Sequence, residues 1–407
     1  MKFENTKDFA LDLDSKDTLS SYRNKFFIPK KNGKEVIYFA GNSLGLQPKA
    51  VRKYVEQELK DWELLGVAAH LKAKNPWLPY HEFLTEQTAE IVGAKQEEVV
   101  NMNALTVNLH LMFVSFYHPT SSRHKILIES NAFPSDNYAV KSQIKFHGYN
   151  PSESLIILQP GISNDVEEII KKEGDSIALI WLPGVNYYTG QAFNIKKITE
   201  AAHSKGCFAG FDLAHAAGNI ILKLHDWNVD FAVWCNYKYL NGGPGAVGGC
   251  FVHERHLKEQ LPKFAGWWGH NKETRFLMPP DFEPIPTVES WQLSNPPILQ
   301  MAALKASLDI FHEVGMKPLR EKSELLTGYL EHLIRQKEDA NIEIITPAER
   351  GCQLSLRIKS NGKTLHKKLT DSGVMCDWRE PDVIRAAPVP LYNTFLEVFN
   401  FVEILSG

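Results

Sequence analysis

Lys238 stands in "CNYKYLNGGPGAVGG", residues 235–249, directly after an apolar run and directly before a glycine-rich loop. An ammonium in a dry site is costly, and an amine that sheds its proton there is a nucleophile able to form a Schiff base with a carbonyl compound. A lysine at a strand end can equally snorkel to solvent. Asp212, in "GFDLAH", shifts the balance towards chemistry. A carboxylate deep in an α/β core needs a cationic or donor partner, and a pyridinium nitrogen is one. Pyridoxal phosphate asks for that pair: a lysine for its aldehyde and an acid for its ring nitrogen. Asp212 precedes Lys238 by about one strand–loop–strand unit, so the two can lie on neighbouring strands. His215 could pack on such a ring, orient the acid, or be a satisfied core histidine.

The cofactor's phosphate needs amide and hydroxyl donors. "NALTVN" places Leu105 and Thr106 at the start of a buried helix, where free N–H groups and the helix dipole favour an anion. Thr106 could instead be a plain N-cap. Tyr237 offers a phenol to the phosphate or to a proton transfer. "FPSD" adds Phe133, able to stack on a ring face, and Asp136, a second acid near the pyridine edge. The glycines at 242, 243, 245, 248 and 249 do not match the P-loop pattern and are read as a turn and a tight strand entry.

Elements must bring these residues together. The runs "KILIES", "SLIILQP", "IALIWLP", "CFAGFDL", "DFAVWC" and "GGCFVHE" are short, apolar and rich in branched or aromatic residues, as strands covered on both faces are. Helical segments such as "DVEEIIKKEGD" and "NIKKITEAAHSKG" lie between several of them. The alternation predicts an α/β fold: a mostly parallel sheet wrapped by helices, with ligands beyond the carboxyl ends of its strands. Polar tips follow five apolar runs: "ALT" after "VVNMN", and "FPSDN", "PGVNYYTG", "DLAH" and "YKYL" after four of those above. "PKAVRKYVEQELKDWELLG" predicts a helix with Pro48 in its first turn and Gly66 at its end. After residue 296 one long helical stretch runs towards residue 338, then strands and a last helix form a smaller α+β domain. The expected organisation is an N-terminal arm over 1–40 packing with the small domain, a large domain over 41–296, and a small domain with the linking helix over 297–407.

Composition narrows the class. The chain has 407 residues, 43% hydrophobic and 23% charged, an ordinary globular balance. A net charge of −3 gives no electrostatic reason to expect nucleic acid or an anionic membrane as partner. Five scattered cysteines without a CxxC pair predict reduced, mostly buried thiols. No apolar run reaches a membrane span and the N-terminus reads neither as a secretory signal nor as a transit peptide, so a cytoplasmic soluble protein is expected, with no metal site.

The motifs "NALTVNLHL", "FPSDNYAVKSQ", "GFDLAHAAGN", "LHDWNVDFAVWCNYKYLNGG", "GWWGH" and "LSNPPIL" together resemble the kynureninases, fold type I pyridoxal phosphate enzymes related to aspartate aminotransferase. The resemblance runs from "YFAGNSLGLQP" to "IRAAPVPLYN". It implies hydrolysis of L-kynurenine or 3-hydroxy-L-kynurenine, with Lys238 carrying the cofactor and Asp212 pairing with the ring nitrogen. His215 and Phe133, Pro134, Ser135 and Asp136 would surround the ring, and Leu105, Thr106 and Tyr237 would hold the phosphate. Catalysis would rest on Lys238, Tyr237 and Asp212. Trp267 and Asn295 would come from the partner subunit of a homodimer. Arg385 would clamp the substrate carboxylate, while His70, Ser294 and Asn295 would recognise its aryl end. His70, in place of a tryptophan, implies preference for the 3-hydroxy substrate.

Two positions depart from the family pattern. Pro183 stands where a hydroxyl is common, so a donor is lost unless water or Asn186 replaces it, and Asn236 stands where serine is common. The other readings are a cysteine desulfurase, with Cys352 as its candidate nucleophile, a class V aminotransferase, or a glycine-rich nucleotide-binding module without catalysis.

Overall fold

The computed structural model describes residues 2–130, 132–158 and 166–407. Residues 159–160 of the second apolar run, and Asp165 at the head of the helical segment after it, lie outside the described residues.

Seven strands form the large sheet: β1 (Val99–Asn101), β2 (Lys125–Glu129), β3 (Leu155–Leu158), β4 (Ile177–Pro183), β5 (Phe208–Asp212), β6 (Phe231–Cys235) and β7 (Gly248–Val252). Their spatial order is β1-β7-β6-β5-β4-β2-β3. The pairs among β2 to β6 are parallel, and β7 runs antiparallel to both β6 and β1. Alternate residues face opposite sides, yet both sides are covered, which is why the strands read as unbroken apolar runs. In β6, Phe231 and Val233 join the core on one side while Ala232 and Trp234 join the core on the other. Helices α4 (Leu105–Phe116) and α5 (Pro134–Phe146) cover the first side. The helix α8 (Ile298–Val314) and α7 (Ile195–Ser204) cover the second. The remaining helices are α1 (Lys7–Ser15), α2 (Val51–Leu65), α3 (Thr85–Val92), α6 (Val166–Glu173), α9 (Met316–Gln336), α10 (Gly362–Asp371) and α11 (Phe395–Ser406), besides shorter turns.

The long helical stretch is two helices. Gly315 at φ +73° breaks it between α8 and α9. Met301, Leu304, Leu308 and Phe311 of α8 pack into the large-sheet core. Leu326, Tyr329, Leu330 and Leu333 of α9 pack with the small sheet instead. That sheet is antiparallel, in the order β8 (Ile342–Ile344), β9 (Leu354–Ile358), β11 (Val383–Ala386), β10 (Asp377–Arg379). Ala10 and Leu13 of α1 and Phe39 share this second core with α11. The helix α2 begins at Val51, not in the turn of Pro48, whose carbonyl accepts the Val51 N–H at 3.1 Å.

The segment after Phe39 ties the two cores together at the carboxyl ends of the large sheet. Ala387 N–H donates to the Phe39 carbonyl at 2.9 Å, and Gly45 N–H donates to the Tyr237 carbonyl at 2.8 Å. Gly45 has to be glycine: a Cβ there would lie 2.3 Å from the Lys238 carbonyl oxygen. The five cysteines are unpaired, and four are buried. Among the described residues no helix is long and apolar enough to cross a membrane.

Candidate active site

Five strand-end segments line one cleft. Leu105 and Thr106 come from the start of α4; Phe133, Ser135 and Asp136 from the start of α5; Pro183, Val185 and Tyr187 from the loop after β4. Asp212, Ala214 and His215 follow β5, and Tyr237 and Lys238 follow β6. Glu129 enters from the end of β2.

The half-buried Lys238 lies with its Nζ 3.1 Å from His215 Nε2. Burial, reinforced by the Lys238 charge, holds the His215 imidazole well below its ordinary range, so it is neutral and its Nε2 accepts from the ammonium. The phenyl ring of Phe133 lies 5.9 Å from the same Nζ and meets Tyr187 edge-on at 5.2 Å. Tyr237 also flanks the amine, its ring centre 5.7 Å away, and burial pushes its phenol up.

The floor of the cleft is acidic. Asp212 accepts the Ala214 N–H at 2.7 Å; burial raises its carboxyl, with Lys238 opposing. Asp136 is raised well above the usual carboxylate range by burial and by Asp212 beside it. Glu129 is pushed up to about 7 by burial, although Asn186 Nδ2 donates to it at 2.6 Å. Among the described residues, three buried carboxyl groups thus face a single lining lysine, and Asp136 Oδ1 and His215 Nδ1 are buried without a partner. Such a floor lacks a cation, the charge that a protonated pyridine nitrogen would supply.

At the other end of the cleft two helix N-termini converge. Thr106 and Ser135 are the second residues of α4 and α5, and their hydroxyl oxygens are 3.3 Å apart. Ala104, not Thr106, is the N-cap of α4 and offers no side-chain oxygen, so the first-turn amides are free for an anion. Gly248 lets β7 pass close by, since a Cβ there would sit 3.2 Å from the Leu105 nitrogen. A cationic demand on the floor, an anion seat at the helix ends and a lysine between them fit pyridoxal phosphate.

Other residues named from the sequence lie elsewhere. Arg385 is buried on β11, with Nη1 donating to the Tyr187 carbonyl at 2.6 Å. His70 sits on the short helix Ala69–Lys72, its Nδ1 3.1 Å from the Val67 carbonyl oxygen and its ring edge-on to Trp77. Trp267, Ser294 and Asn295 are exposed and do not line the cleft of a single chain. Trp267 Nε1 donates to the Arg275 carbonyl at 3.2 Å. Pro134 is the first residue of α5 and starts that helix. Pro183 lines the cleft, and Asn186 Nδ2 gives one of its two hydrogens to Glu129. Asn236 is buried, donating to Asn101 Oδ1 at 2.9 Å and the Val247 carbonyl at 2.7 Å. Cys352 is fully buried and its thiol is pushed up to about 12 by burial, which suits a core residue and not a mobile nucleophile.

Glu129 and Tyr187 were missed by sequence reasoning. Glu129 ends "KILIE" as Asp212 ends "CFAGFD", and an acid closing a buried apolar run was the available signal.

A mostly parallel seven-stranded sheet presenting lysine, acid and phosphate seat at its carboxyl edge defines the fold type I class of pyridoxal phosphate enzymes. Solved structures of that fold superimpose over nearly the whole chain. The cysteine desulfurase CsdA of Escherichia coli gives a TM-score of 0.79 at 15% identity, covering 95% of this chain and 97% of that one. A variant of the cystine C–S lyase C-DES, with glycine covalently linked to its PLP cofactor, gives 0.77 at 16% identity, covering 91% and 96%. At such identities the likeness concerns the fold alone. The sequence relatives are far nearer. A kynureninase of Koribacter versatilis is 57% identical over 98% of this chain and 97% of its own length. One of Myxococcus xanthus is 55% identical over 100% and 98%. The kynureninase C-terminal domain model matches residues 319–405. The chain belongs to the kynureninase family of pyridoxal-phosphate-dependent hydrolases.

Proposed function

We propose that this enzyme hydrolyses L-kynurenine and 3-hydroxy-L-kynurenine to L-alanine and anthranilate or 3-hydroxyanthranilate, with preference for the 3-hydroxy substrate, as a cytoplasmic homodimer. The observation that carries the reading is the Lys238 amine, 3.1 Å from a neutral His215 and facing the Asp212–Asp136 floor. Pyridoxal phosphate, when bound, supplies the electron sink for carbon–carbon cleavage.

The chain's residues would do the rest. Asp212, its position fixed by the Ala214 N–H, would hold the ring nitrogen protonated, while Asp136 keeps its own proton. Leu105, Thr106, Ser135 and Tyr237 would seat the phosphate; Phe133 would lie on the ring, on a helix that Pro134 starts. Lys238, once free, would take the substrate's α-proton at Nζ, with His215 receiving an N–H from it. Tyr237, its phenol raised, stays protonated at neutral pH and would give a proton to the β-carbon as its bond to the ketone carbon, to which water has added, breaks. Arg385 would take the substrate carboxylate, and His70, Ser294, Trp267 and Asn295 would complete the site from segments outside a single chain's cleft.

Large apolar side chains support the second subunit. Val67 is 85% exposed, Leu71 70%, Trp62 60% and Leu277 77%, apolar side chains that a second subunit would cover. The test is kcat/KM for both substrates in the wild type and in His70→Trp, with the mass in solution measured by light scattering. A ratio favouring 3-hydroxykynurenine that falls in His70→Trp is the expected result; an unchanged ratio removes His70 as the selecting residue.

A further inference from the structure

The arginine proposed to receive the substrate carboxylate already has an anion. The antiparallel register of β10 and β11 sets Asp377 directly opposite Arg385. Arg385 Nη2 donates to Asp377 Oδ2 and, at 3.1 Å, to Ser43 Oγ. The same Asp377 oxygen accepts from Ser43 Oγ at 2.6 Å and from Arg379 Nη2 at 3.0 Å. Nη1 donates to the Tyr187 carbonyl, leaving Nε buried with no partner among the described residues.

A guanidinium grips a carboxylate at two points through one of two faces, Nε with Nη2 or Nη1 with Nη2. Both faces pass through Nη2, the nitrogen that Asp377 engages. One Nη2 hydrogen goes to Asp377 and the other to Ser43, so a two-point grip must take one of them, and a carboxylate arriving there is repelled by Asp377 unless Asp377 draws back. It has somewhere to stay: Arg379, 38% exposed at its side chain, and the rotatable Ser43 hydroxyl hold it independently.

We propose that Asp377 is the resting counter-ion of Arg385 and that the substrate carboxylate binds by exchange, taking Nη2 from Asp377 while Arg379 and Ser43 retain the displaced side chain. The inference rests on Arg385 as the carboxylate's partner. Arg385 is buried, so leaving its guanidinium without an anion would be costly, and the exchange keeps one there throughout. The competing anion also weakens the hold on any carboxylate, which favours product release.

Asp377→Asn removes the competitor, so KM falls by about three- to tenfold, the size of a charge-assisted bond partly regained. In the cofactor-free protein, acetate then raises Tm more in the variant than in the wild type, against chloride at equal ionic strength. A KM equal to or above that of the wild type overturns the exchange. Should Asp377→Asn not fold, Arg379→Gln decides: losing its second cation, Asp377 holds Arg385 harder and KM rises, whereas an unchanged or lower KM overturns the proposal. Arg385→Gln is the separate control, because an unaltered KM there would strike the carboxylate role of Arg385 itself and not the exchange.

Discussion

Two buried acids end up at opposite ends of neighbouring strands with opposite fates. Asp230 precedes β6; Asp212 closes β5. Asp230 is surrounded by donors: Ala209 N–H at 2.7 Å, His203 Nε2 at 2.9 Å, His256 Nε2 at 2.8 Å, and Arg255. Burial pushes its carboxyl up, but those hydrogen bonds and the Arg255 charge win and hold it well below the usual range. Nearby Glu98 is also supplied, accepting from His225 Nδ1 and the N–H groups of Lys95 and Glu254. Asp212 has one backbone N–H, the proton held by Asp136 and a nearby lysine charge, with Glu129 also on the floor, and there burial wins. A charge with every lone pair answered is a strut; a charge left short is a binding site awaiting its cation.

That contrast can be broken from either end. The largest effect belongs to Lys238→Ala, which should lower turnover of kynurenine by roughly 10³-fold or more while the fold, read by circular dichroism, is kept. Asp230→Ala should do the reverse: unfolding free energy drops by about 3 kcal/mol, because four donors including a guanidinium lose their buried partner, while turnover per folded molecule stays near that of the wild type. The carboxyl of Asp230 is depressed in the folded state. Its stabilisation is therefore complete above the ordinary carboxylate pKa and is lost as pH falls below it, and Asp230→Asn should flatten the acid limb of a denaturation series.

Glu129 has the opposite sign. With its pKa raised to about 7, its favourable contribution is complete below the unfolded value and fades as pH climbs through 7. Cofactor-free Glu129→Gln should match the wild type near pH 5 and exceed its stability at pH 8 by roughly 2–3 kcal/mol in urea titrations. Equal stability of the two proteins at both pH values would mean that the floor is not short of a cation. The smallest effect is expected at the anion seat. Thr106→Ala should weaken retention of pyridoxal phosphate by about 1 kcal/mol, seen as a several-fold higher Kd in equilibrium dialysis.

Much of this site could be read along the chain. The apolar runs, the polar residue closing each and the mostly parallel sheet follow from local pattern, because a strand covered on both faces has to be apolar throughout and must become polar where it leaves the core. Glu129 escaped because "KILIES" looks like any strand end, and its weight comes from Asp136 and Asp212 lying across the cleft. The single long helix after residue 296 was a misreading of two: apolar periodicity continues through Gly315, and only the packing of α8 and α9 against different cores separates them. Asp377 was likewise invisible, since its partner Arg385 is defined by the register of β10 on β11.

What the amino-acid order determined alone is the inventory: which residues can lose or hold a proton, where strands stop, and where a helix opens with free N–H groups. Tertiary structure decided which acids share a cleft, which find enough donors, and which chain segments complete the site. The physical reason is that a carboxyl's character depends on its few nearest donors and on exclusion of water, and those neighbours come from strands far apart in sequence.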